Sequence, residues 1–190
     1  MLQQSKIAIR MLLLFTLVCG VAYPSVVTGL AQGLFPRQAG GSLVRRHGHL
    51  VGSTLIGQRF RGPSWFHGRP SAVDYDAAAS GPSNYGPTSP ALRKELAANL
   101  AKVLRENPGV RPAQVPVDLV TSSGSGLDPD LSPAAALLQV PRVARANHLS
   151  ASVVRGLVLR QVRGRWLGIF GEPHVNVLRL NLALDGLRGR

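Results

Sequence analysis

Residues 11–36, MLLLFTLVCGVAYPSVVTGLAQGLFP, carry no charged side chain. A helix crosses a bilayer core with about 20 predominantly apolar residues, and this run is longer than that. Lys6 and Arg10 stand in front of it, which allows two readings. A secretory signal needs a basic start, a short apolar core and a cleavage site of small residues, which Gly20, Val21 and Ala22 supply. A retained anchor needs the apolar run to continue, and it does so through Val26, Val27, Leu30 and Leu34. Either reading sends the remainder across a membrane, and the continuation favours the anchor. The expected organisation is therefore a short tail and one transmembrane helix over residues 1–36. An extracytoplasmic soluble domain over residues 37–190 follows.

Pro24 lies inside the span, where it removes a backbone donor and is expected to kink the helix. Together with Thr28, Gly29 and Gln32 it makes the outer half better suited to pack on protein than on lipid. Tyr23, Pro24, Thr28, Gly29 and Gln32 are accordingly the candidate contacts with other membrane helices. Cys19 is the single cysteine, so the chain forms no internal disulfide. Val18 precedes it where lipid attachment would want a small residue, so Cys19 reads as a small buried hydrophobe.

The soluble part reads as a mixed fold, α/β in the broad sense and α+β in its order. Gly40-Gly41 marks a turn, and the short apolar runs after it, 42–44 and 50–56, both read as strands. Residues 62–90 are rich in Pro, Gly, Ser and Asn and lack periodicity, with Trp65, Phe66, Tyr75 and Tyr85 spaced to pack the loop down. SPALRKELAANLAKVLRENPG is the clearest helix, with Ser89 as cap, Pro90 in the first turn and Asn107-Pro108-Gly109 as stop. Residues 115–120 read as a buried strand, and 133–146 and 150–162 as two further helices. The tail VNVLRLNLALD alternates as a half-buried strand does, with a slip of phase after Val177; a helix capped by Asn176 is the alternative.

The charge balance is strongly basic, 22 Lys and Arg against 9 Asp and Glu, all but three of the bases being arginine. These residues are scattered, with no binding motif and no striped helix, so the excess does not read as a nucleic-acid surface. Anionic headgroups or an acidic partner are the better match.

Catalytic chemistry is hard to find. None of the three lysines follows a glycine and precedes Ser or Thr, so there is no P-loop, and the phosphorylation motif of P-type pumps is absent. His47 and His49 form a close pair without the further ligands of a zinc site. The loop TSSGSGLDPDLSPAA is the densest cluster of hydroxyls and carboxylates. Gly124-Ser125-Gly126 is part of a nucleophile elbow but lacks the full G-x-S-x-G spacing. A secreted or anchored serine hydrolase using residues 121–133 is thus one reading. The other is a rigid strand-to-helix connection: glycines for positive φ, aspartates for turns, and Ser132-Pro133 as cap and first turn.

The strings YPSVVTGLAQGLFPRQAGGSLV, VGSTLIGQRF, RPSA, SNYGPTSPAL, VPVDLVTSSGSGLDPDLSPAAA and LGIFGEPHVNVLRLNLALD resemble, in order, the motifs of the KdpC family, the C subunit of bacterial Kdp potassium-transporting ATPases. The resemblance implies a non-catalytic accessory subunit of a high-affinity, ATP-driven potassium-uptake complex. It implies one helix in the bacterial inner membrane and a domain outside the cytoplasm. The implied partners are a channel-like potassium-selective subunit, a P-type ATPase subunit and a small single-span subunit. It assigns this chain no catalytic, metal or cofactor ligand. ATP enters only through the complex, where such subunits are described as catalytic chaperones raising the pump subunit's ATP affinity. Ser123, Gly124, Ser125, Gly126, Asp128, Pro129 and Asp130 form a family motif loop. Three positions depart from the usual pattern. Gly81-Pro82-Ser83-Asn84 stands for Gly-Gly-Ser-Asn and Thr88-Ser89-Pro90 for Thr-Asn-Pro. Asp128-Pro129-Asp130 stands for Asp-Pro-His, which replaces a titratable imidazole with a carboxylate.

Overall fold

The computed structural model describes residues 2–188 and divides into two compact units, residues 1–51 and 52–190. The first unit holds an apolar helical stretch, Leu2–Leu34, of 33 residues. At about 1.5 Å per residue it is about 50 Å long, more than a bilayer core requires. It consists of α1 (Leu2–Leu17), a π turn (Val18–Ala22) and α2 (Tyr23–Leu34). The π turn lies immediately ahead of Pro24: the Tyr23 N–H reaches five residues back to the Val18 carbonyl. Widening the helix is the local answer to a proline that can neither donate nor tolerate a carbonyl beneath its ring. No residue of the stretch is buried, and Cys19 is exposed, not the buried hydrophobe expected. A side chain on a helix with no protein neighbour meets whatever surrounds it, which in a span is lipid.

A one-turn helix α3 (Pro36–Ala39) and a hairpin of β1 (Leu43–Arg46) and β2 (His49–Ser53) follow, near the expected strands. His47 and Gly48 both have positive φ, +48° and +81°, as a tight two-residue hairpin turn demands. His47 is therefore a turn residue.

In the second unit the long segment after β2 has one 3-10 turn, Ala77–Ala79, before α4 (Pro90–Glu106). Ser89 Oγ accepts the Ala91 N–H at α4's start, as its sequence indicated. Residues 115–120 do not form a strand. Two 3-10 turns, Pro112–Gln114 and Val117–Leu119, occupy the region. Pro116 removes a ladder donor from within the run, whose Leu119 is buried while Val117 is exposed. Strand β3 (Asp130–Leu131), helices α5 (Pro133–Ala146) and α6 (Ala151–Gln161), and strands β4 (Val162–Arg163) and β5 (His174–Asn176) come next. Helix α7 (Val177–Arg188) ends the described chain. The strands form one antiparallel sheet in the order β3-β5-β4, with Asp130 opposite Asn176 and Val162 opposite Val175.

The tail is thus a three-residue strand running into a helix. The alternating strand is overturned in favour of a helix capped by Asn176, whose Oδ1 accepts the Arg179 N–H at 3.2 Å. The phase slip after Val177 marks the change of period from 2 to 3.6. Leu180 and Leu184, one turn apart, are fully buried. They join Leu131, Val143, Val154, Val158 and Val175 in the core beneath which α5, α6 and α7 pack.

Candidate functional site

The loop of residues 121–132 is tied down from several sides. Its glycines are the first constraint. Gly126 has φ +68°, and a Cβ there would lie 2.6 Å from Val73 Cγ2 and 3.0 Å from the Gly81 carbonyl. Gly57 packs as closely from the other direction, since a Cβ on it would meet the Asp128 carbonyl at 2.6 Å. Its N–H donates to the Leu127 carbonyl. Glycine is required at both positions because backbone lies against backbone.

The loop's polar groups are largely spent on this packing. Ser125 Oγ accepts the Leu127 N–H at 3.1 Å and lies 3.5 Å from Ser123 Oγ, while the Ser125 carbonyl accepts from Gly81 N–H and Ser80 Oγ. A hydroxyl held as a turn acceptor beside another serine is placed for architecture; neither contact supplies a base to take its proton. Asp128 receives Arg69 Nη1 at 2.8 Å on one oxygen and the Asp130 N–H at 3.0 Å on the other. Asp130 Oδ1 accepts Asn176 Nδ2 at 3.0 Å, and the same amide reaches the Thr54 carbonyl. The Pro129 carbonyl accepts the Val177 N–H. Asp130 thus joins β3 to the cap of α7. Ser132 caps α5 through the Ala135 N–H and is held in turn by both oxygens of Asp118.

Arg69 and Ser71, in the RPSA string, and Tyr75, one of the aromatics expected to pack the long segment down, are the partners of this loop, a pairing the sequence did not indicate. Ser71 Oγ donates to the Gly126 carbonyl at 2.6 Å, and the Tyr75 hydroxyl donates to the Arg69 carbonyl. Arg69 Nε is buried without a hydrogen-bond partner. Burial raises the Tyr75 phenol above its ordinary value, opposed by Arg59, which also forms an ion pair with Asp74, and reinforced by Asp128. The advance signals were the RPSA string and the spaced aromatic Tyr75; neither says which loop it holds.

Near this loop is an open groove of about 880 Å³, lined by residues 59–62, 67–72, 74 and 75, by Pro82, Ser83 and Tyr85, and by one face of α4. At its floor His67 bridges Glu106 Oε2 through Nδ1 at 3.0 Å and the Gly62 carbonyl through Nε2 at 2.8 Å. Gln139 receives the His67 N–H and donates back to the His67 carbonyl. Arg142 holds Gln139 Oε1 at 2.6 Å and the Pro63 and Trp65 carbonyls at 2.8 and 3.0 Å. Burial alone would raise the Glu106 carboxyl; the His67 hydrogen bond and the charges of His67, Lys102 and Arg142 outweigh it and hold the group below its ordinary value. Burial lowers the Arg142 guanidinium, with Glu106 opposing. The network pins the 62–67 turn to α5. Among the described residues no three His, Cys, Asp or Glu side chains gather as a metal site would require.

The remaining sequence candidates, Tyr23, Pro24, Thr28, Gly29 and Gln32, lie in the apolar stretch of the first unit. All but Ala31 of α2 are exposed, so these side chains are available to other helices.

A long apolar N-terminal helix followed by a mixed helix-and-strand domain, whose richest polar loop is consumed in holding its own segments together, defines a class: a folded domain carried behind one helix long and apolar enough to cross a membrane. The sequence profile described as "KdpC: K+-transporting ATPase, c chain" matches residues 5–186, and the chain belongs to that family. It is similar to the potassium-transporting ATPase KdpC subunit of Caldanaerobacter subterraneus subsp. tengcongensis, 53% identical over 182 residues that cover 96% of this chain and 94% of the relative. The KdpC subunit of Methylobacterium nodulans is 54% identical over 204 aligned residues that cover both chains fully. That of Methylococcus capsulatus is 54% identical over 191 residues, 99% of this chain and 100% of the relative.

Proposed function

We propose that the chain is a non-catalytic accessory subunit that stabilises an ATP-driven potassium-uptake complex. The match to the family over residues 5–186 is the observation that carries this reading. In it, the stretch Leu2–Leu34 is a retained anchor in the bacterial inner membrane, with the domain outside the cytoplasm. Tyr23, Pro24, Thr28, Gly29 and Gln32 face companion membrane helices, where small and polar residues permit close approach. The domain sits on the channel-like potassium-selective subunit near the ion's entrance. A P-type ATPase subunit and a small single-span subunit complete the assembly.

ATP is bound by the pump subunit in this reading. A domain outside the membrane does not reach nucleotide inside it, so any rise in ATP affinity travels through the membrane helices as a coupling free energy, typically about 1–3 kcal/mol. The loop at 121–132 contributes architecture. The motif's Asp130, where the family has histidine, serves that role through Asn176.

The test is removal of this chain from the complex. Loss of stable assembly and of potassium-stimulated ATPase activity is expected. Companions that remain fully assembled and fully active without it would show the reading to be wrong.

A further inference from the structure

Residues 163–173, the connection from β4 towards β5, are exposed at every position. Within them Trp166, Leu167, Ile169 and Phe170 have relative exposures of 69, 71, 74 and 58%. Isolated exposed apolar side chains are ordinary, but four among five consecutive residues make the kind of patch that marks an interaction site.

The turn is ordered although nothing of it is buried. The Trp166 N–H donates to the Phe170 carbonyl at 2.8 Å and the Phe170 N–H donates back at 2.9 Å. The two ring centroids lie 5.6 Å apart, the planes tilted by 42°. Leu167 at φ +52° and Gly168 at φ +75° close the tip, and a left-handed leucine is an unfavourable conformation to hold. At the base Arg165 grips both oxygens of Glu172, at 2.7 and 2.8 Å. Hydrogen bonds and an ion pair thus maintain a stiff apolar tip in water. Such pre-organisation repays its cost when a partner covers the tip, because little freedom is then lost on docking.

We infer that this turn is the plug by which the domain docks into an apolar pocket, rimmed by carboxylates, on a companion membrane subunit; the inference rests on the assembly reading above. Aromatic side chains and arginine are the residue types that dominate such contacts, and here they sit on one turn. Arg160 and Arg163 flank its stem and supply the positive charge that the carboxylate rim would meet. A lipid surface could also accept the apolar tip. Against it stands the shape of the element, a compact turn instead of a long amphipathic helix.

The test replaces Ile169 by benzoylphenylalanine in the full-length chain and irradiates the purified complex. An adduct with a companion subunit, mapping to an apolar pocket, is expected. An adduct with lipid, or no adduct at all, overturns the inference. Separately, the double substitution Trp166→Asp and Phe170→Asp should leave the melting temperature of the full-length chain alone unchanged while lowering co-purification of the companions about tenfold. If that variant assembles normally while deletion of the chain abolishes assembly, the docking inference fails and the assembly reading stands. If deletion leaves assembly intact, the assembly reading itself fails.

Discussion

Asn181 reaches across 115 residues of sequence to make both backbone hydrogen bonds of Phe66: its Oδ1 accepts the Phe66 N–H at 2.9 Å and its Nδ2 donates to the Phe66 carbonyl at 2.9 Å. Both residues are buried, Phe66 completely. The amide acts as a neighbouring strand would, closing a segment that has no ladder of its own. Asn181→Leu removes donor and acceptor together and leaves two buried backbone groups unpaired. The expected loss is about 2–5 kcal/mol of stability, read as a fall in the melting temperature of the full-length chain in detergent. A melting temperature equal to wild type would mean that water replaces the clamp.

The motif loop offers a comparison within three residues. Gly126→Ala places a methyl group against Val73 and the Gly81 carbonyl at φ +68°, so a loss of about 1–3 kcal/mol is expected. Gly124→Ala has nothing within 4 Å of its new Cβ and no positive φ, so its effect should stay within about 0.5 kcal/mol. Thermal unfolding of the two variants side by side checks the ordering. Equal losses would show that the close approach at Gly126 does not constrain the loop.

Glu106 makes the domain sensitive to acid. Its folded-state carboxyl lies below the ordinary glutamate value because the His67 hydrogen bond and the nearby positive charges outweigh burial. A depressed carboxylate contributes stability above its unfolded value and loses it as pH falls through the folded one. The contribution is therefore full at neutral pH and declines once pH drops below about 4.5. Glu106→Gln should flatten this part of the stability-versus-pH curve and lower stability at neutral pH. An acid limb identical to wild type would place the sensitivity elsewhere.

Helices were legible where local signals agree with burial. Ser89-Pro90 and Ser132-Pro133 each combine a cap with a preset first turn, and α4 and α5 begin there. The apolar stretch was legible for the same reason: its character does not depend on what it meets. The tail was misread in its leading version because Asn176 and Asn181 interrupt the leucines, and the first caps while the second clamps. Those roles depend on Thr54, Asp130 and Phe66, distant residues that no local pattern reveals. Residues 115–120 had the composition of a strand, but Pro116 takes a donor from the run and a 3-10 turn, Val117–Leu119, follows it directly. In the site, the glycines and aspartates at 124–130 were visible as turn chemistry. Their pairing with Arg69, Ser71 and Tyr75 was not, although the RPSA string and Tyr75 stood out, since long-range pairing by a loop leaves no periodic trace.

Gly29 tests the membrane face independently of the soluble domain. A Cβ at this position meets nothing within 4 Å in the chain itself, and a bulky residue is therefore tolerated by the helix as far as its own atoms are concerned. In a bilayer, helices that pack through glycine and threonine do so because the missing side chain lets backbones approach. Gly29→Ile should accordingly leave expression and membrane insertion of this chain unchanged. In the complex it should reduce co-purification of the companion subunits by about tenfold, the equivalent of about 1.4 kcal/mol. Co-immunoprecipitation from membranes, with Gly33→Ile as a second position that also has open space within the chain, measures both. A normal complex for Gly29→Ile and a disrupted one for Gly33→Ile would move the contact one turn along the same face, towards the C-terminal end of α2, because positions four apart lie one above the other.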